Sequence, residues 1–203
     1  MLDISILPRS FYLEGDVVRI AQKLLGKIIV TDIDGQLTLS RIVETEAYDG
    51  RVDKACHAYP QRRTPRTEVM FKEGGRSYVY LCYGIHYLFN IVTQAENEPN
   101  AVLLRAVEPV AGLPFMAERR KVKSQINFTN GPGKLASALG ITLDFNDLIL
   151  HDPDSPIWIA EEIAAGPKPK IVQTTRVGVD YAEEDALLPW RFYIKDNPYV
   201  SRK

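Results

Sequence analysis

A single domain of mixed α/β (α+β) class, strands paired in antiparallel hairpins with helices flanking them, is what this sequence predicts, and three observations predict it. Runs of β-branched and aromatic residues are separated by tight-turn signals at Asp34-Gly35 and around Tyr83-Gly84, which fold successive strands back on one another. Shorter segments carry apolar residues at helical spacing. At 203 residues, 45% hydrophobic and 25% charged, the chain can bury one core without staples, and no repeat, low-complexity tract or linker divides it.

Taken in order, a short extended lead precedes a helix in which Asp16 is the N-cap, Val17, Ile20, Ala21, Leu24 and Leu25 form the inner face, and Gly26 is the stop. Lys27 to Thr31 is a strand, and Gln36 to Tyr48 returns from the Asp34-Gly35 turn. Asp49 to Gly75 is a long basic loop with at most one short helix near Thr67 to Phe71. Arg76 to Val92 is a second hairpin, and Ala101 to Val107 is a buried strand that Glu108-Pro109 breaks. Leu113 to Lys123 is a helix with a basic end. Asn130-Gly-Pro-Gly-Lys134 opens another, whose inner face is Leu135, Ala138 and Leu139 and whose stop is Gly140. Strands around Arg176 to Val179 and at Trp190 to Lys195 complete the chain.

The stretch Leu37 to His57 concentrates the chemistry. Leu37, Leu39, Val43, Thr45 and Ala47 recur at period two, so Ile42, Glu44, Glu46 and Tyr48 point from the opposite face. Glu46 and Tyr48 are then neighbours, about 6 to 7 Å apart along the strand, close enough to line one pocket. An edge strand with a solvated outer face is the plainer alternative for such a segment alone. Arg105 interrupts an apolar run and therefore needs a carboxylate, with Glu44, Glu46 and Glu108 as candidates. In the second hairpin a sheet core explains Tyr78, Tyr87 and Phe89, whereas Tyr83 sits at the tip, where a large ring has little core to enter and is suited to insertion into a partner. Tyr80 and Asn90 lie on its two arms.

Charge and cysteine count narrow the function. The net charge of −1 conceals an asymmetry: residues 1–50 carry 5 basic and 8 acidic groups, residues 51–134 carry 13 and 7, and residues 135–203 carry 7 and 11. The middle third, with Arg62, Arg63, Arg66, Lys72 and Arg76 in one cluster and Arg119, Arg120, Lys121 and Lys123 in another, points to phosphates as partners. The glycine-rich helix start with Lys134 could also hold a phosphate, though it lacks the spacing of a nucleotide P-loop. Two cysteines, Cys56 and Cys82, and three scattered histidines offer no zinc spacing, so no metal and no cofactor are expected, and the missing zinc signature argues against nucleobase deamination. No apolar run approaches the roughly 20 residues of a membrane span and no leader is evident, so a cytoplasmic protein without a membrane role is expected.

These segments, RIVETEAY (Arg41 to Tyr48), His57, RTPR (Arg63 to Arg66), YVYLCYG (Tyr78 to Gly84), LFN (Leu88 to Asn90), VLLRAVEP (Val102 to Pro109), NGPGKL (Asn130 to Leu135) and PWRFY (Pro189 to Tyr193), resemble, in the same order over nearly the whole chain, the alkyladenine or 3-methylpurine DNA glycosylase family. The resemblance implies one glycosylase domain over residues 1–203, with a curved, largely antiparallel sheet and a protruding hairpin. It implies a monofunctional enzyme, most simply a monomer, that flips an alkylated or deaminated purine out of duplex DNA and hydrolyses its N-glycosidic bond. Glu46 would be the catalytic base and Arg105 the arginine beside the attacking water. Tyr48, His57 and Tyr80 would form the base pocket, Asn90 would reject guanine, and Tyr83 would fill the gap in the duplex. Arg62, Arg63, Arg66, Arg76 and Lys134 are candidates for backbone phosphates. The chemistry agrees: an oxocarbenium-like transition state calls for a carboxylate near the sugar, and no lysine lies in the pocket motifs to form a Schiff base. A non-catalytic damaged-DNA binding module and a nucleoside or glycoside hydrolase using Glu44 with Glu46 are the alternatives.

Overall fold

A computed structural model describes residues 3–162 and 169–202. Among the described residues there are nine strands: β1 (Ile4–Ile6), β2 (Ile28–Ile33), β3 (Gln36–Asp49), β4 (Ser77–Cys82), β5 (His86–Thr93), β6 (Asn100–Ala111), β7 (Ile157–Glu162), β8 (Ile171–Thr174) and β9 (Arg191–Ile194). They form one sheet in which seven follow the order β1-β7-β2-β3-β6-β5-β4, with β9 lying beside β3 and β8 beside β9, every pairing antiparallel. Three α-helices accompany them: α1 (Val17–Leu24), α2 (Leu113–Arg120) and α3 (Pro132–Leu139). The result is the mixed α+β domain with a curled antiparallel sheet that the sequence implies.

The local signals act as expected where a specific backbone geometry is demanded. Asp16 caps α1, its carboxylate accepting from the Arg19 N–H at 2.7 Å. Asp34 and Gly35 both have positive φ, the requirement of a two-residue hairpin turn of the primed type, and join β2 to β3 in register. Gly140 ends α3 in the left-handed region. α1 and α3 cover one face of the sheet. Ile20 and Leu24 of α1, Leu135 and Leu139 of α3, and Ile42, Ala47, Phe89, Ile91, Leu104 and Phe192 of the strands make up the main core.

β3 is the axis of the sheet, not an edge. β6 runs along one side for almost its whole length, and the other side is shared by β2, which pairs Gln36 to Arg41, and β9, which pairs Glu44 to Glu46. Where the two share it, the pairing with β6 shifts register between Ile42 and Thr45. This bulge resets the alternation of faces. Ile42 packs in the main core with Ala47, and Thr45 Oγ1 donates to the Ala21 carbonyl of α1, while Val43 packs on the opposite side with Ala106 and Tyr199. Unbroken period-two spacing therefore wrongly puts Leu39 and Val43 on one face with Thr45 and Ala47 and puts Ile42 on the other, though it places Glu44, Glu46 and Tyr48 together correctly.

Three boundaries also differ. β6 continues past Glu108-Pro109 to Ala111, because Pro109 lies beside a second register shift, opposite Ser40, where a missing N–H does least harm. α2 stops at Arg120, with Lys121 in the left-handed region. Arg176 to Val179 is not a strand. β8 lies earlier, at Ile171–Thr174, and residues 175–179 form a loop tied down by side chains.

Gly50 joins the end of β3 to the loop that carries His57. Its N–H donates to Pro99 O, and a Cβ here would lie 2.3 Å from that same oxygen. Gly50→Ala should therefore push β3 from the start of β6 and lower stability by about 1 to 3 kcal/mol, read from urea unfolding. A parental midpoint would show that the junction yields freely.

Candidate active site

The face of the sheet away from α1 and α3 carries a row of paired residues that crosses five strands. Tyr78 of β4 lies opposite Asn90 of β5, Asn90 opposite Leu103 of β6, Leu103 opposite Glu46 of β3, and Glu46 opposite Arg191 of β9. Residues more than a hundred positions apart thus meet because the registers align. Above this row lies a cleft of about 900 Å³, within the size range of small-molecule sites. Tyr48, His57, Tyr78, Tyr80, Asn90, Arg105 and Val177 line it, with Tyr83 and Tyr181 at its rim.

Glu46 lies beneath the floor of this cleft, with no exposed surface. Three donors converge on it. The Val177 N–H reaches Oε1 at 2.8 Å, while the Tyr48 hydroxyl and Arg105 Nη1 reach Oε2 at 2.7 and 3.3 Å. All three donor residues line the cleft, so Glu46 is separated from it only by the groups that hold it. Burial, followed by the charge of Glu46, raises the Tyr48 hydroxyl well above its usual range, which keeps it a donor. Glu44, equally buried, holds the other side of Arg105. Arg105 Nε and Arg191 Nε reach its Oε1 at 3.1 and 2.7 Å, and the Ser201 N–H reaches its Oε2 at 2.6 Å. The requirement that Arg105 find a carboxylate is thus met twice, by Glu44 and Glu46; Glu108 instead accepts from Asn197.

The aromatic wall stands on β4 and the loop after β3. The His57 and Tyr80 rings meet edge to face at 4.6 Å, and Tyr78 lies 5.4 Å from Tyr80. Tyr78, assigned to core packing by its sequence, does pack in a buried cluster with Val69, Met70 and Val92, and it also lines the cleft, where its hydroxyl lies 2.9 Å from His57 Nδ1. Arg66 stacks on Tyr80 at 4.8 Å and points Nη2 at His57 Nε2. Since a guanidinium can only donate, Nε2 accepts and the ring proton resides on Nδ1, donating to Tyr78. Burial, helped by Arg66, pushes the His57 pKa down to about 4, so the ring is neutral at physiological pH. Asn90 is buried and lines the cleft, its amide donating to Tyr78 O at 3.0 Å. Tyr83 protrudes, 91% exposed and with positive φ, between the exposed Leu81 and Ile85.

The basic candidates separate into two groups. Arg66 and Lys134 line the cleft, Lys134 held by Asn130, and Arg62 is exposed with no ion pair among the described residues. Arg63 is instead engaged bidentately by Glu68, and Arg76 shares Asp147 with Lys72, so these two face carboxylates of their own chain. Of the second basic cluster in the sequence, Arg120, at the end of α2, lines the cleft margin; sequence reasoning missed Asp53, Arg176, Val177, Arg191 and Ser201 around the two glutamates. Arg191 carried a signal, a charge inside the aromatic run WRFY; the others lie in loops whose sequence marks nothing. Cys56 and Cys82 are both free, burial raising the Cys56 thiol to about 12. Among the described residues no group of His, Cys, Asp and Glu could hold a metal ion, and no helix is long and apolar enough to cross a membrane.

The sequence profile of a family described as methylpurine-DNA glycosylase matches residues 10–198. The chain belongs to the methylpurine-DNA glycosylase family. Relatives named "Putative 3-methyladenine DNA glycosylase" match it nearly end to end. One from Desulfitobacterium hafniense is 49% identical, covering 97% of this chain and 98% of its own length. Another from Chlamydia felis is 47% identical, with 93% and 96% covered, and one from Bacillus thuringiensis is 46% identical, with 97% and 98%. Within this methylpurine-DNA glycosylase fold, Glu44 and Glu46 have different surroundings. Glu44 is enclosed by Arg105, Arg191 and Ser201 and meets no cleft-lining residue but Arg105, whereas every donor to Glu46 faces the cleft. Glu44→Gln should therefore act on stability, leaving Arg105 and Arg191 under-compensated in the interior at a cost of about 3 to 5 kcal/mol. Thermal and urea unfolding measure it; an unchanged midpoint would show that Arg191 finds another acceptor.

Proposed function

We propose that the protein is a monofunctional DNA glycosylase that removes alkylated purines, and deaminated ones, from duplex DNA by hydrolysis. The observation that carries this reading is a fully buried carboxylate, Glu46, held by three cleft-lining donors under an aromatic cleft. A flipped purine would stack against Tyr48 and Tyr80 beside the neutral His57, with Asn90 set against its edge so that the amino group of guanine would clash. An alkylated purine is electron-poor, often cationic, and gains from stacking on an aromatic face.

The reaction would run as a displacement with strong oxocarbenium character. Water attacks C1′ as the C1′–N9 bond breaks; Glu46 takes the water's proton and its charge stabilises the cationic sugar, while Arg105 orients the water. The purine leaves with the bonding electrons, needing least help when it is already cationic. An abasic site remains, and no enzyme–DNA bond forms. Tyr83 would occupy the vacated place in the duplex, with Arg62, Arg66 and Lys134 against the phosphates and Arg63 and Arg76 released for the same task only by breaking their pairs. The protein would act as a monomer in the compartment that holds the DNA.

Single-turnover release of 3-methyladenine and hypoxanthine from defined duplexes tests the reading. Glu46→Gln keeps size and shape but loses charge and proton acceptor, so excision should fall by at least about 10²- to 10⁴-fold while duplex binding persists. Near-parental excision by this variant would sink the mechanism, and parental protein that binds lesion DNA but releases no base would identify a binding module. Tyr83→Ala should leave the melting temperature unchanged, since the ring is exposed, and weaken lesion binding by about 1 to 3 kcal/mol. A large drop in melting temperature with unchanged binding would instead make Tyr83 structural.

A further inference from the structure

Behind the cleft wall lies a buried ion pair that the proposed reaction does not use. Asp53 and Arg176, both carrying fully buried side chains, face each other bidentately, Arg176 Nη2 reaching Asp53 Oδ1 at 2.8 Å and Nη1 reaching Oδ2. Neither residue lines the cleft. Arg176 makes two further bonds, Nη1 to Ala47 O at 3.0 Å and Nη2 to Asp185 O at 3.0 Å, and its guanidinium lies 4.8 Å from the Tyr48 ring and 5.4 Å from the Trp190 ring.

The contacts to Ala47 and Tyr48, and the chain continuing to Val177, each fix something next to Glu46. Ala47 is the residue between Glu46 and Tyr48. The Tyr48 ring, stacked on the guanidinium behind it and facing the cleft in front, is the one whose hydroxyl donates to Glu46. Val177, the residue after Arg176, gives its N–H to the other carboxylate oxygen. Residues 175–179 have no strand or helix to hold them, so the direction of that N–H depends on where Arg176 is anchored. A bare buried pair costs desolvation and is weak evidence of stabilisation, so a pair retained here calls for another use.

We propose that Asp53 and Arg176 are positioning residues for Glu46: the pair holds the 175–179 loop and the Tyr48 ring so that two of the three donors to Glu46 stay aimed at it. This rests on the glycosylase reading. Loss of the pair would leave binding of undamaged duplex, which is made through phosphates on the open side of the cleft, and would slow the bond-breaking step, because displacement of a reacting group by about 1 Å costs on the order of 10²-fold.

The test uses two variants. Arg176→Lys keeps the charge opposite Asp53 but cannot make the bidentate pair together with the bonds to Ala47 O and Asp185 O. The double variant Asp53→Asn with Arg176→Gln removes both charges and leaves none uncompensated, so it folds where a single neutralisation could fail. Maximal single-turnover excision, undamaged-duplex dissociation constant and melting temperature are read for each. Trp190 fluorescence, measured in a Trp158→Phe background, reports whether the guanidinium is still over that ring. The expected result is excision about 10²-fold slower in the double variant, with binding within twofold, and a smaller loss in Arg176→Lys. Parental excision in folded variants whose Trp190 signal has changed overturns the proposal. So does an excision loss matched by equal weakening of binding, or one explained by the unfolded fraction. If the parental protein itself releases no base, the glycosylase reading fails, and the outcome is separate from that of the variants.

Discussion

Two negative charges are buried on one strand, and much of the architecture follows from accommodating them. Glu44 and Glu46 have no exposed surface, and an ion removed from water costs several kcal/mol unless donors replace its hydration. No single element can supply enough donors. Arg105 comes from β6, Arg191 from β9, the Val177 N–H from a loop, the Tyr48 hydroxyl from the same strand and Ser201 from beyond β9. The branched edge of β3 makes this possible. β2 leaves at Arg41 and β9 enters at Glu44, with the register shift between them, so the strand carrying the carboxylates gains an arginine-bearing neighbour on each side.

The two faces of the sheet also differ. α1 and α3 cover one with aliphatic side chains that define the core, while the other carries the polar row from Tyr78 to Arg191. Among the cleft-lining residues there are arginines and a lysine but no aspartate or glutamate. The basic excess of the middle third is therefore only partly presented outward. Arg63, Lys72 and Arg76 are neutralised by neighbours and Arg105 is buried, which leaves Arg66, Arg120 and Lys134 lining the opening, while Arg62, Lys121 and Lys123 are exposed with no ion pair among the described residues. A small number of unpaired cations makes affinity for any polyanion modest, with a salt dependence set by the few phosphates they neutralise.

What was legible in the sequence is what depends on local geometry. Asp16, the Asp34-Gly35 turn, Gly140 and the Tyr83-Gly84 tip each demand one backbone conformation and obtained it. Arg105 was legible for an energetic reason, since a guanidinium in an apolar run has few solutions. The errors arose where tertiary pairing overrides local pattern. A bulge between Ile42 and Thr45 leaves no mark in the residues, a proline is tolerated beside a register shift, and a loop such as 175–179 acquires its order from Asp53, more than a hundred residues earlier. Tyr78 shows the limit differently. It is buried, as an aromatic strand residue should be, yet its buried hydroxyl serves a cavity wall, and burial alone does not distinguish the two.

The contact between Glu44 and Ser201 has a consequence for the order of events during synthesis. The N–H and hydroxyl of Ser201 both bond to Glu44, and Arg191 in turn donates to Arg202 O, so the charge cluster closes on residues 157 positions downstream of its carboxylate. While the chain is still growing, α1, β2 and β3 can pair and bury aliphatic surface, but Glu44 has neither Arg191 nor Ser201 to meet. A nascent chain lacking those residues would hold the carboxylates hydrated and the β9 edge of β3 open. Completion of the Glu44 cluster thus waits on Arg191 and Ser201, which are among the last of the described residues to leave the ribosome.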